Sequence, residues 1–264
     1  MTTTMPALFL GHGNPMNTLG DNDYTRAWST LGARLPRPRA ILVISAHWYI
    51  WGTQVTAMPT PRTIHDFGGF PPELFKIAYP APGDSELAAQ IAALLRPTAV
   101  NLDHDWGLDH GAWTVLRHLF PQADIPVLQL SIDATKTPQF HYELGQRLSP
   151  LREEGILLLA SGNLVHDLRL YNWRRPESPP LEATIRFENQ VRELLLAGNH
   201  EALINYHSLG PETPFAVPCP DHFLPLLYLL GLQRERESLT FPVSGHDGGT
   251  ISMLAVALGL EESA

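Results

Sequence analysis

The sequence predicts a single α/β domain, residues 1–264, with a mostly parallel central sheet covered by helices on both faces. Three observations predict it. Short apolar runs that end in small or polar residues recur along the chain, as strands buried on both faces do. Stretches with helical apolar spacing lie between them, and strands alternating with helices build parallel crossover units. The 264 residues, 44% hydrophobic and 17% charged, suffice for one large core.

The first apolar run, 7–10, leads into Gly11-His12-Gly13-Asn14-Pro15, and helical spacing follows over 24–35. The second, 40–44, leads into Ser45-Ala46-His47-Trp48. The segment 59–82, rich in Pro, Gly and aromatic residues, is long for a plain connection and predicts a lid or pocket wall. A helix over 85–95 starts with Asp84-Ser85-Glu86, placing acid where the helix dipole favours it. Helices over 112–120 and 138–148 flank a strand at 125–132. The run 155–160 ends at Ser161-Gly162-Asn163. Strand signals on both sides make the Pro-rich loop 175–180 an excursion within one domain. Helices over 181–196 and 221–230 follow, the second with Asp221 as its N-cap. A last strand is expected at 239–243, and 245–250 reads as a strand-to-helix turn.

Charge and cysteine content narrow the function classes. Lys plus Arg number 18 against 27 Asp plus Glu, a formal net charge of −9. So acidic a chain has no electrostatic footprint for nucleic acid or anionic lipid, so neither nucleic acid nor a membrane is expected as a partner. Its apolar runs fall short of the roughly 20 residues of a membrane helix. Met1-Thr2-Thr3-Thr4-Met5-Pro6 lacks the basic start and apolar stretch of a signal peptide. The single cysteine, Cys219, excludes an internal disulfide and a thiolate cluster, and fits a cytoplasmic setting. The oligomeric state is left open.

Histidine is the unusual residue, with 12 copies. In open α/β sheets, ligands bind beyond the carboxyl ends of the strands. His12, His47 and His166 follow three different strands, so an imidazole reaches the same sheet edge from each. His222, at the first turn of an apolar helix, can face that edge, and His110 opens another helix in Asp109-His110-Gly111. Imidazole suits Zn²⁺ or Fe²⁺, and three protein ligands leave positions open for chemistry. A further histidine off the ion can move protons near neutral pH. His65, in the 59–82 segment, reads as a pocket or substrate contact. His118, His141, His200 and His207 read as solvated, and His104 and His246 as facing either the crevice or water. The chain has no GxGxxG, GxxxxGK[ST] or GxSxG pattern, which argues against a phosphate loop and a serine hydrolase. Cys219, between Pro218 and Pro220, has no base beside it and reads as inert.

Six segments in order carry a resemblance: Gly11-His12-Gly13-Asn14-Pro15-Met16, Ser45-Ala46-His47-Trp48, Ile64-His65-Asp66-Phe67-Gly68-Gly69-Phe70-Pro71, Asp109-His110-Gly111, Ser161-Gly162-Asn163-Leu164-Val165-His166 and Asp221-His222-Phe223-Leu224-Pro225-Leu226. The chain resembles the class III extradiol ring-cleaving dioxygenases, in the branch of bacterial and plant DOPA 4,5-dioxygenases. The likeness runs from Pro6 to Gly259. It implies one catalytic domain whose metal site, at the strand C-terminal edge, holds one divalent ion on His12, His47 and His222. His222 stands where other class III enzymes carry a glutamate. His166 is implied as the acid/base, or as a ligand itself when zinc is bound. His110 is implied as a second catalytic histidine, with His65 and Asp66 as substrate contacts.

The implied partners are O₂ and a catechol, DOPA-like or another catecholic acid, opened to a semialdehyde. Fe²⁺ is the ion expected for turnover, and Zn²⁺ binds the same imidazoles in purified protein. Asp167 departs from the asparagine common after the acid/base histidine. Two other readings use the same residues: a zinc-dependent hydrolase, and a non-catalytic metal-binding protein on the same fold.

Overall fold

A computed structural model describes residues 4–260, so the readings at 1–3 and 261–264 lie outside the described residues. In chain order, β1 (Ala7–Gly11) precedes α1 (Asp23–Arg34), and β2 (Ala40–Ile50) turns into β3 (Thr53–Thr56). Next come α2 (Ser85–Leu94), β4 (Val100–Asp103), α3 (His110–Leu119), β5 (Val127–Asp133) and α4 (Pro138–Leu148). β6 (Ile156–Gly162) leads to α5 (Glu182–Leu196), α6 (His200–Ile204), α7 (Thr213–Ala216) and α8 (Leu224–Leu232). The chain closes with β7 (Leu239–Thr240), β8 (His246–Asp247), β9 (Ile251–Ser252) and β10 (Ala255–Leu258).

Eight strands form one sheet in the order β4-β3-β5-β2-β6-β1-β10-β7. The central four, β5-β2-β6-β1, are all parallel. Their side chains alternate between two cores. Phe9, Leu42 and Ile44 point to the core closed by α2, α4, α5 and α8. Leu8, Leu10, Ile41 and Val43 point to the core closed by α1 and α3. Burial on both faces explains why these strands are unbroken apolar runs. All nine residues of α8 are buried, as expected of a helix that is apolar all round. Gly231 lets it press on α4, because a Cβ there would overlap the Tyr142 carbonyl.

The fold class is as the apolar pattern predicts, but several elements differ. β3 and β4 are not foreseen, because Thr53-Gln54-Val55-Thr56 and Val100-Asn101-Leu102-Asp103 lie towards one sheet edge and carry polar residues. The expected turn at 245–250 into a helix is instead the β8–β9 hairpin, and β10 inserts antiparallel between β1 and β7. The expected strand at 239–243 shortens to β7. The helix expected over 221–230 is a 3-10 turn, Pro220–His222, followed by α8. Asp221 is not its N-cap, because its carboxylate turns back to accept the His222 backbone N–H at 2.9 Å. Asp84 does cap α2, accepting from the Leu87 N–H. No helix among the described residues is long and apolar enough to cross a membrane.

Candidate metal centre

The carboxyl ends of β1, β2 and β6 lie side by side, and the chain leaves each of them towards one cavity. His12 follows β1 directly, and its backbone N–H donates to the Gly162 carbonyl at the end of β6. His47 does not follow its strand as expected but lies within β2. The pairing of β2 with β5 shifts register between Ile44 and Tyr49, and this irregularity re-aims the side chains of 45–48. His222 arrives on the 3-10 turn before α8, and its carbonyl accepts the Asn163 N–H at 2.9 Å. Gly162 permits that approach, because a Cβ there would overlap the His222 carbonyl. The end of β6 therefore places two of the three imidazoles.

The ligand nitrogens of His12, His47 and His222 all lie within 4.8 Å of one another. His12 Nδ1 meets Ser161 Oγ at 3.0 Å, and that hydroxyl donates its own proton to the Gly111 carbonyl at 2.6 Å. Ser161 therefore accepts from His12, whose Nε2 keeps a free lone pair. His47 Nδ1 lies 3.3 Å from Asp66 Oδ2, and His222 Nδ1 lies 3.2 Å from Asp221 Oδ1. Each imidazole thus turns Nδ1 to an oxygen and Nε2 inward. The Nε2 atoms of His12 and His47 stand 3.0 Å apart. Two nitrogens about 2.1 Å from one ion at near a right angle stand about 3 Å apart. Both ring nitrogens of His222 are buried without a hydrogen-bond partner. Burial first, and then the neighbouring imidazoles, push His12 and His47 well below the ordinary histidine range. Neutral imidazoles with oriented lone pairs and an orphaned nitrogen fit a divalent cation.

The cavity around these atoms has a volume of ≈ 400 Å³. Phe67, Phe70, Leu168 and Trp173 give it apolar walls, and His110 and His166 also line it. His110 opens α3, which Asp109 caps through the Ala112 N–H. Its Nδ1 donates to Asp66 Oδ1 at 2.9 Å. Asp66 therefore joins His47 to His110, and although burial opposes its charge, the His110 hydrogen bonds hold its carboxyl below the usual range. His166 lies flat on His222, ring centroids 3.5 Å apart and 6° from parallel. It belongs to neither group of side chains whose atoms converge as ligands. The resemblance implies His166 as acid/base or, with zinc bound, as a ligand; it lies beside the three converging imidazoles, stacked on His222.

Other expectations also change. His65 does not line the cavity: its Nε2 donates to the Ile77 carbonyl at 3.0 Å, and its ring packs on Phe67, Phe75 and Trp113. It buttresses the wall formed by 59–82 rather than facing a substrate. His141 is not solvated but 0% exposed, with Nδ1 on Tyr228 Oη at 2.9 Å. His118 and His200 are half-buried, while His104 and His207 are exposed. His246 faces Glu188, 3.0 Å away, rather than the cavity. Asp167 turns its carboxylate to Arg169. Tyr171 and Trp173, which sequence reasoning passed over, line the cavity. Their aromatic pairing after His166 was the available signal.

Residues 6–259 match the family model of the catalytic LigB subunit of aromatic ring-opening dioxygenase. The chain belongs to this family. An Escherichia coli K12 protein named 4,5-DOPA dioxygenase extradiol is 52% identical over 261 residues, covering 98% of this chain and 96% of that one. A Beta vulgaris protein of the same name is 36% identical, covering 92% of each. A crystal structure of an uncharacterized Escherichia coli K12 protein superposes with a TM-score of 0.85 at 46% identity, over 97% of this chain and 100% of that one. The chain is an extradiol ring-cleaving dioxygenase, and its three-histidine cluster could hold the His-ligated metal of such an enzyme.

Proposed function

We propose that the chain opens the ring of a catechol such as DOPA with O₂, beside one divalent ion held by His12, His47 and His222. The observation that carries this reading is the convergence of three imidazoles in a cavity that also presents His110 and His166. The names of the Escherichia coli and Beta vulgaris relatives support DOPA or a close analogue. Fe²⁺, the proposed ion for turnover, would supply Lewis acidity to a catechol and an electron path to O₂ that Zn²⁺ lacks. A cytoplasmic setting, suggested by the single cysteine, belongs to the same reading.

The chain's own groups divide the remaining work. His166 is the proposed proton acceptor for a catechol hydroxyl and later the donor to oxygen. Burial and the adjacent His222 hold it well below the ordinary range, so it rests neutral. Positioned proton transfer of this kind contributes ~10²–10⁴-fold. His110 has committed Nδ1 to Asp66, which leaves Nε2 to hydrogen-bond a substrate hydroxyl or oxygen. Asp66 orients His47 and His110, and since it also lines the cavity it remains a proposed substrate contact. Phe67, Phe70 and Trp173 hold the ring's faces and exclude water.

The test is anaerobic reconstitution with Fe²⁺, followed by DOPA, caffeate and protocatechuate under air. O₂ uptake matched by a yellow ring-opened semialdehyde from at least one catechol is expected. Turnover without O₂ uptake would return the site to a hydrolase, and no turnover with any catechol would defeat the reading.

A further inference from the structure

The proposed reaction leaves one buried charge without a use. Asp247, in the β8–β9 hairpin, is 8% exposed. Its Oδ1 accepts from Tyr171 Oη at 2.9 Å, and that hydroxyl also accepts from Asn14 Nδ2 at 3.2 Å. No ion pair joins Asp247 to any described cation, and burial pushes its carboxyl up. A carboxylate removed from water is unfavourable unless a partner compensates it. Tyr171 Oη and the backbone N–H groups of Asn14 and Gly248 hydrogen-bond this carboxylate, but no cation among the described residues pairs with it.

Asp247 lines a groove of ≈ 1080 Å³ beside the catalytic cavity. The two spaces share Asn14, Phe70 and Trp173, so a ring seated in the cavity can extend its substituent into the groove. No lysine or arginine lines either space. Nearby arginines are committed elsewhere: Arg169 to Asp167, and Arg26 to Asp21 and Asp23. Arg174 and Arg175 are exposed and line neither space. Tyr24, Phe70, Trp173 and Glu177 also line the groove, as does His246, which faces Glu188, and aromatic faces attract cations.

We propose that the groove receives the substrate's side chain through a cationic group, an ammonium, with Asp247 as its counter-ion. The enzyme then prefers catechols with an ammonium-bearing side chain over those whose side chain ends in a carboxylate alone. A side chain with both groups is held by its ammonium. This inference rests on the ring-cleaving reading of the adjoining cavity and narrows the catecholic acid that the resemblance implies.

Three probes separate the contributions: 4-(2-aminoethyl)catechol, 4-methylcatechol and 3-(3,4-dihydroxyphenyl)propionate. For each, kcat/KM is measured on the Fe²⁺-loaded protein in air, and Kd by anaerobic calorimetry. The aminoethyl compound should exceed the propionate by roughly tenfold or more in both, the scale of one charge-assisted hydrogen bond. In Asp247→Asn, which keeps an acceptor for Tyr171, that ratio should collapse towards one. A wild-type ratio at or below one overturns the proposal, as does a ratio that Asp247→Asn leaves unchanged. The wild-type series decides alone if the variant does not fold. Cleavage of none of the probes would instead defeat the ring-cleaving reading, with the calorimetric order still judging the groove.

Discussion

His12 and His141 are buried alike, at 2% and 0% exposure, yet they serve different ends. His141, on α4, hydrogen-bonds the Tyr228 hydroxyl of α8 in the packed seam between those helices. His12 faces two other imidazoles across a cavity, with its Nδ1 held by Ser161 and its Nε2 left open. Burial alone therefore does not mark a functional histidine. Convergence of like donors does, when each has its second nitrogen turned to an oxygen and empty space lies between them.

The comparison can be broken most directly at the ligands. His222→Ala should abolish stoichiometric metal by elemental analysis, whereas His141→Leu should retain a full equivalent. Equal retention by both would dissolve the distinction. His166→Gln should keep the metal and lose ~10²–10⁴-fold in turnover. If the metal leaves with it, His166 is a ligand and the proton must move through His110.

The packed histidine makes a stability prediction. Burial lowers His141 from 6.5 to about 4, so between those values the unfolded chain binds a proton that the folded chain refuses. Stability falls as pH drops through that window and levels off below it, by roughly 3 kcal/mol from this group. Urea unfolding of metal-free protein at neutral and mildly acid pH should show a shallower loss in the His141→Leu/Tyr228→Phe double variant. An unchanged slope would mean that His141 is not held neutral. The smallest effect sharpens the metal side: Ser161→Ala should weaken metal binding about 10–100-fold in a chelator competition, because His12 loses the group that fixes its tautomer. Unaltered affinity would leave Ser161 a packing residue.

Much of this was legible in residue order. Runs such as 7–10 and 155–160 read as strands because burial on both faces leaves no polar alternation to confuse them. The cap at Asp84 was legible because it depends on neighbours within one turn. His141 was legible in principle: it shares the spacing of Leu144 and Leu148, which α4 buries, but its polarity outweighed that periodicity. β10 was not foreseen because Ala255-Val256-Ala257-Leu258 is too short and apolar for periodicity to separate strand from helix.

By itself, the sequence determined the alternation of strand and helix, the acidic charge, and the histidines placed where strands end. These follow from local pattern, since secondary structure and strand-end position depend on residues a few places apart. Only the tertiary structure decided that His47 is aimed from within β2, that His166 stacks on His222, and that His65 supports the wall. It also brought Asp66 between two histidines that lie 19 and 44 positions away in the chain, and seated Asp247 without a cationic partner beside a second chamber. Where a side chain points is set by the distant segment packed against it, and no local pattern encodes that contact.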